Sequence, residues 1–156
     1  MLRIEHITRE GPELETVRSL FREYEAELDE NLCFQSFELE LATPLEKYGP
    51  PRGDIILAWW DDEVAGCIAL KPLKNDVCEM KRLYVKPPLR KNKIGEHLVN
   101  ELISSARNKG FKVMRLDTLH KLQPAIRLYE KYGFENISAY YDNPLSGVVY
   151  MQKNLM

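Results

Sequence analysis

The sequence predicts an α/β fold: one mixed, strongly twisted sheet of about seven strands with helices on both faces, in the order β-α-α-β-β-β-α-β-α-β-β. Three observations predict it. Residues 79–107 read as a strand, a basic connection and a helix. Met80, Leu83, Tyr84 and Val85 suit a sheet, Pro87-Pro88 stops the strand near Lys86, and Ile94, Leu98, Leu102 and Ala106 form an apolar stripe that ends before Gly110. Residues 112–117 (KVMRLD) form a strand reached by a helical crossover, which sets it parallel to the strand of Glu79. Residues 55–60 (IILAWW) and 64–70 (VAGCIAL), joined through Asp61-Asp62-Glu63, read as a hairpin with an acidic, exposed turn.

The remaining elements follow in order. Leu2, Ile4 and Ile7 mark a first strand, and Gly11-Pro12 breaks it while placing proline at a helix start. Leu14, Val17, Leu20, Phe21, Tyr24 and Leu28 then lie on one helical face. Residues 31–53 hold Phe34 and Phe37, with Gln35 between them, a short helix and a Pro-Gly-rich loop. Asn75-Asp76 turns the chain into the strand of Glu79. Gln123-Pro124 opens a short helix with Ala125, Ile126, Tyr129 and Tyr132, capped by Gly133. Strands at 134–138 and 148–153 close the chain around the segment YYDNPLSG.

At 156 residues, 44% hydrophobic and 29% charged, the chain reads as one soluble domain, residues 1–156, without repeats or linkers. It has no apolar run long enough to span a membrane, and LRIEHITRE lacks the features of a signal peptide, so a cytoplasmic location is expected. Cys33, Cys67 and Cys78 show no C-x-x-C pairing and read as buried free thiols, and the scattered His6, His97 and His120 offer no metal-ligand spacing. The net charge of −2 argues against a nucleic-acid partner. Charge is nevertheless segregated. From Glu10 to Glu46 there are eleven acidic residues against Arg18 and Arg22. Positions 81–93 carry six basic residues (Lys81, Arg82, Lys86, Arg90, Lys91, Lys93) and no acidic one. That local basic joint opens a helix whose first N–H groups lack intrahelical partners, so it reads as the site of a polyanionic ligand. The acidic run reads either as a solvated helix face or as a lure for a cationic partner.

Glu79, Leu83, Val85 and then Arg90-x-x-Lys93-x-Gly95 resemble the cofactor motif of the GNAT superfamily of N-acetyltransferases, Gln/Arg-x-x-Gly-x-Gly/Ala. LYEKYGF, residues 128–134, is similar to the family's second motif, a helix carrying a tyrosine and ending in Gly-Phe. The resemblance covers about residues 54–155 and extends to the N-terminal third by element order. Lys93 departs from it, standing where the family prefers its first glycine and adding a charge to a helix-starting conformation. A second departure is Leu122, where the family commonly has a polar asparagine.

The resemblance implies a GNAT-like sheet whose two parallel strands splay apart, and acetyl-CoA as the acetyl donor entering the wedge. On this basis Leu83, Tyr84 and Val85 line the pantetheine arm, with Leu83 and Val85 bonding it through their backbones. Arg90, Lys91, Asn92, Lys93, Ile94, Gly95 and Glu96 hold the pyrophosphate, and Leu122 and Ala125 also contact the cofactor. It also implies acetyl transfer to a small-molecule or peptide amine, whose identity the residues leave open, as they do a homodimer. Because an alkylamine is almost wholly protonated near neutral pH, some group must accept a proton. Glu79 matches the strand glutamate that acts as base in some members; the alternatives are an ion pair of Glu79 with Lys81 or Arg82, a water chain, and an aspartate or tyrosine of YYDNP sharing the work. Tyr129 matches the family's motif tyrosine, placed early in its helix, where its phenol can hydrogen-bond or protonate the departing thiolate. Tyr140, Tyr141 and Asn143 read either as acceptor contacts or as a Pro-terminated turn packed on the sheet, and Phe34, Gln35 and Phe37 either as a lip over the acceptor or as simple packing. The other class the motifs allow is a non-catalytic acetyl-CoA-binding or regulatory module.

Overall fold

In a computed structural model, the structure describes residues 1–32 and 35–156. Seven strands form one sheet in the order β1-β2-β3-β4-β5-β7-β6. Strand β1 (Leu2–His6) pairs antiparallel with β2 (Asp54–Trp60), which pairs with β3 (Glu63–Pro72), which pairs with β4 (Val77–Val85). Strand β5 (Val113–Leu119) runs parallel to β4, and β7 (Val148–Asn154) lies between β5 and the short β6 (Glu135–Ile137). The β2–β3 turn has Asp61 and Asp62 at φ 48° and 70°. That is the pair of left-handed residues a two-residue hairpin loop requires to match strand twist.

Both faces of the sheet are covered, which is why β2 reads IILA without polar alternation. Ile55 and Leu57 pack on one face beneath helix α1 (Pro12–Leu28), with Leu14, Val17, Leu20 and Phe21. Ile56 and Ala58 pack on the other beneath α4 (Ile94–Asn108), with Leu98, Val99, Leu102 and Ile103. The single short helix expected after α1 is two helices, α2 (Phe37–Ala42) and α3 (Pro44–Tyr48). Pro44 supplies no N–H and pushes Thr43 to φ −137°, so it ends one helix and begins the next. Helix α5 (Gln123–Lys131) follows β5, and a 3₁₀ turn (Pro87–Asn92) joins β4 to α4. Among the described residues no helix is long and apolar enough to cross a membrane.

Two local features position the site. Strand β4 bulges: Cys67 pairs with Tyr84 and Ala69 with Lys81, so Ile68 alone faces both Arg82 and Leu83, and Arg82 takes φ 61°. The parallel ladder is also short. Only Val77↔Val113, Cys78↔Met114 and Glu79↔Arg115 pair, whereas β4 runs on to Val85 and β5 to Leu119.

Candidate active site

Beyond Glu79 the inner edges of β4 and β5 have no ladder to each other, leaving backbone donors and acceptors for some other partner. The opening between them is a narrow cavity of about 60 Å³, lined by Leu83, Leu116, Leu122, Ala125 and Tyr129. At one end it meets a cavity of about 330 Å³ walled by Leu83, Tyr84, Val85, Arg90, Gly95, Glu96, Leu122 and Ala125. At the other end Gln35 and Lys81 border both the wedge and an open cleft of about 870 Å³, where Glu79, Tyr140 and Tyr141 lie. A passage thus crosses the sheet at its splay, with Glu79, the last paired residue of β4, at the vertex.

The N-terminal end of α4 fits a phosphate-bearing group. Its first backbone bond runs from the His97 N–H to the Lys93 carbonyl (3.2 Å), no side chain caps it, and the N–H groups of Ile94, Gly95 and Glu96 find no acceptor among the described residues. A Cβ at Gly95 would meet only Leu128 (3.5 Å) and Val85 (3.9 Å), both ordinary contacts, so the protein's own packing does not require glycine here. The conformation of Lys93 differs from the helix-starting one expected. It is left-handed, φ 59° and ψ 24°, which explains the preference for glycine at this place. Of the other expected cofactor residues, Ile94 is wholly buried in the core, Asn92 bonds the Leu89 carbonyl (3.2 Å), and Lys91 is exposed. Leu122 stands at the N-cap of α5 without a side-chain cap and presents an apolar wall. Two of the joint's basic side chains are engaged by α1: Lys86 pairs with Glu23 (3.0 Å), and Arg90 with Glu27 (2.5 Å) while also donating to the Val85 carbonyl (2.8 Å); Lys91 and Lys93 are exposed.

Tyr129 lies in the last turn of α5, not early in the helix as expected, yet it faces the wedge. Its ring meets Phe134 edge-on at 5.9 Å, and its hydroxyl makes no hydrogen bond among the described residues. Burial, with Tyr24 and Asp117 nearby, pushes its pKa up, so the phenol keeps its proton at neutral pH. Tyr132 instead donates to the Glu96 carbonyl (3.4 Å).

At the cleft end, cross-strand register places Lys71, Glu79, Arg115 and Gln152 side by side on four neighbouring strands. Glu79 is buried and accepts a hydrogen bond from the Tyr140 hydroxyl (2.5 Å). Its nearest cation is Lys81, 3.9 Å away and also 3.7 Å from Asp117. Burial lowers the pKa of Lys81 although both carboxylates oppose it. Arg82 does not pair with Glu79. The bulge turns it toward Glu40 of α2 (2.8 and 2.9 Å) and Gln35 (2.8 Å), between the rings of Tyr24 and Phe37, with the Arg82 and Glu40 side chains 2% and 0% exposed. Burial alone would raise the pKa of Glu40, but Arg82 and then Lys47 hold it below the usual carboxylate value.

The YYDNP segment packs on the sheet, and Tyr140 and Tyr141 also border the cleft. Tyr140 and Tyr141 pack against Tyr150 of β7 at 5.4 and 5.9 Å, while their hydroxyls turn inward, Tyr141 donating to Asp117. Burial first, then the Glu79 and Asp117 carboxylates, raises both phenol pKa values. Asn143 also donates to Asp117 (2.7 Å) and borders the wedge, not the cleft. Phe37 is a core residue; the wall toward the cleft is made by Gln35, Ser36, Leu39 and Glu40. Phe34, the other half of the expected lip, and Cys33 lie outside the described residues. Cys67 and Cys78 are buried free thiols, and burial pushes Cys78 up to about 12. Glu40, Lys71, Arg115 and Asp117 escaped the sequence reading. Arg115 and Asp117 alternate in KVMRLD, the one signal that both share a face of an otherwise buried strand.

The profile of the Acetyltransferase (GNAT) family matches residues 14–134. An uncharacterized N-acetyltransferase of Schizosaccharomyces pombe is 44% identical over 142 residues, covering 90% of this chain and 87% of its own length. A second, from Dictyostelium discoideum, is 28% identical, covering 87% of this chain and 91% of its own. Among solved structures, an acetyltransferase of the GNAT family from Staphylococcus aureus Mu50 superposes with a TM-score of 0.80 at 21% identity, covering 99% of this chain and 100% of that one. The splayed sheet, the uncapped α4 and these likenesses agree: the chain belongs to the GNAT acetyltransferase family and is an acyltransferase enzyme.

Proposed function

We propose that the enzyme moves the acetyl group of acetyl-CoA to a primary amine by direct attack while both substrates are bound. The observation that carries this reading is the passage from the free N–H groups of α4, through the splay, to the buried Glu79. A Bacillus subtilis acetyltransferase solved in complex with CoA shares the fold at a TM-score of 0.70 and 24% identity. The donor supplies a thioester carbonyl open to attack and a thiolate leaving group.

The chain's residues supply the rest. The N–H groups of Ile94, Gly95 and Glu96 take the pyrophosphate, aided by the positive end of the α4 dipole. The open edge of β4 at Leu83 and Val85 bonds the pantetheine amides, filling the vacancy left by β5. Glu79 accepts the proton that the amine must lose as its C–N bond forms, directly or through one water. Tyr140 holds the accepting carboxylate in place through its 2.5 Å hydrogen bond. As the C–S bond breaks, the Tyr129 hydroxyl, which has no competing acceptor among the described residues, donates a hydrogen bond to the departing thiolate. The test is release of CoA thiol from acetyl-CoA across a panel of primary amines. The reading expects release that depends on an amine and yields the acetylamide; thiol release that no amine accelerates would overturn it.

A further inference from the structure

We infer that the acceptor is an amino carboxylic acid whose carboxylate is bound by Arg115 and Lys71, with Lys74 at the rim; this rests on the acetyl-transfer reading above. The cleft beside Glu79 carries Lys47, Lys71, Lys74, Lys81 and Arg115 against Glu40, Glu46 and Glu79, an excess of cations in a protein of net charge −2. Internal pairing consumes only some of them. Glu40 is held by Arg82 and Lys47, and Glu79 faces Lys81. Lys71, Lys74 and Arg115 have no carboxylate within 4 Å among the described residues, which leaves three cations facing Glu46 alone.

An exposed lysine without a partner means little, and Lys74 by itself is of that kind. Lys71 and Arg115 are different. Both are half-buried, and register sets them on the strands to either side of Glu79, each about 4.8 Å away across the sheet. Arg115 is also held in place: its Nε donates to Gln152 (3.0 Å) and its guanidinium lies 5.3 Å from the Tyr140 ring, leaving both Nη groups without a partner among the described residues. An amine delivered to Glu79 therefore has a cation at each shoulder. A carboxylate one carbon from the nitrogen meets that pair, and the planar guanidinium suits it. A second amine there would meet like charge, so polyamines and aminoglycosides fit poorly. The same cations disfavour the protonated amine and so raise the fraction of reactive free base.

The test compares amino acids with their decarboxylated amines, aminoalkyl phosphates and spermidine, in turnover and in calorimetric binding to the CoA-bound enzyme. We expect the amino acid to exceed its decarboxylated counterpart at least tenfold in kcat/KM. Arg115→Gln should raise its KM tenfold or more with a much smaller change in kcat, and Lys71→Gln should act in the same direction. Preference for spermidine, the decarboxylated amine or an aminoalkyl phosphate overturns the inference and leaves acetyl transfer standing. Binding of amino acids that weakens in Arg115→Gln, without acetylation of any amine, upholds the carboxylate site and overturns the transfer reading. Equal kcat/KM for amino acid and amine in the wild type, or a KM for the amino acid unmoved in both variants, also overturns it.

Discussion

The two ends of the passage carry charge in opposite ways. The joint before α4 looks strongly basic in sequence, but Lys86 and Arg90 are tied to Glu23 and Glu27 of α1, which leaves its backbone N–H groups and the exposed Lys91 and Lys93 as donors. The cleft around Glu79 looks unremarkable in sequence, yet it gathers Lys71, Lys74 and Arg115, which have no carboxylate within 4 Å among the described residues. Backbone donors come with any helix start and bind an anion whatever the neighbouring side chains, so that end suits a ligand shared across a family. Side-chain charge drawn from several strands varies freely, so on the proposed reading the other end would set what is acetylated.

Substitutions at each end can break this comparison. Glu79→Gln should cause the largest loss, about 100- to 10,000-fold in turnover and greatest at low pH, with CoA affinity nearly intact. An unchanged pH–rate profile would hand proton removal to water. Glu40→Ala strands the Arg82 guanidinium in a buried site and should cost about 3–5 kcal/mol of stability, measured by denaturant unfolding. A loss within the usual surface range would mean that Arg82 finds another partner. Tyr129→Phe should slow turnover at least about tenfold while leaving folding and CoA binding alone, and Tyr132→Phe should do little. Full turnover in Tyr129→Phe, with chemistry limiting, removes the assignment.

Smaller effects sharpen the donor end. Lys93→Gly relieves a left-handed lysine and should add roughly 0.5–1 kcal/mol, the cost of that conformation offset by the greater freedom of glycine when unfolded. Destabilisation would show that the lysine side chain is doing structural work there. Away from both ends, His6 bonds Asp54 (2.8 Å) and Glu101 (3.0 Å). The Asp54 bond first, then Glu101, raises its pKa to about 9 against the opposing effect of burial. A raised folded-state value stabilises fully below the unfolded value of 6.5, and that stabilisation is lost as pH rises through about 9. With the side chain 38% exposed, screening should hold the effect to about 1 kcal/mol or less, a fall in Tm of roughly 2–4 °C. His6→Gln should flatten this slope in thermal melts; an equal slope in the variant assigns it elsewhere.

What was legible in the sequence was local. Strand β4, the proline stop and the α4 stripe lie within thirty residues and follow from period, proline chemistry and helix ends, so the donor end could be read directly. The split between α2 and α3 is equally local, written in Thr43-Pro44. The bulge at Arg82 was not readable, because a strand's faces are assigned by alternation and one extra residue reverses every assignment after it. That reversal sends Arg82 to Glu40, forty-two residues away, and leaves Glu79 to Tyr140.

By itself, then, the sequence determined the family motifs, the element order apart from one short helix, and the start of α4 beside Gly95, since each depends on neighbours within a turn or two. Only the tertiary structure decided which charges are already spent and which are free. An ion pair such as Arg90–Glu27 or Arg82–Glu40 joins residues distant along the chain, and a net charge counted along the sequence assigns both members to the wrong neighbourhood. The cationic cleft beside Glu79 exists because register sets Lys71, Glu79 and Arg115 in one row, and register is a property of the assembled sheet.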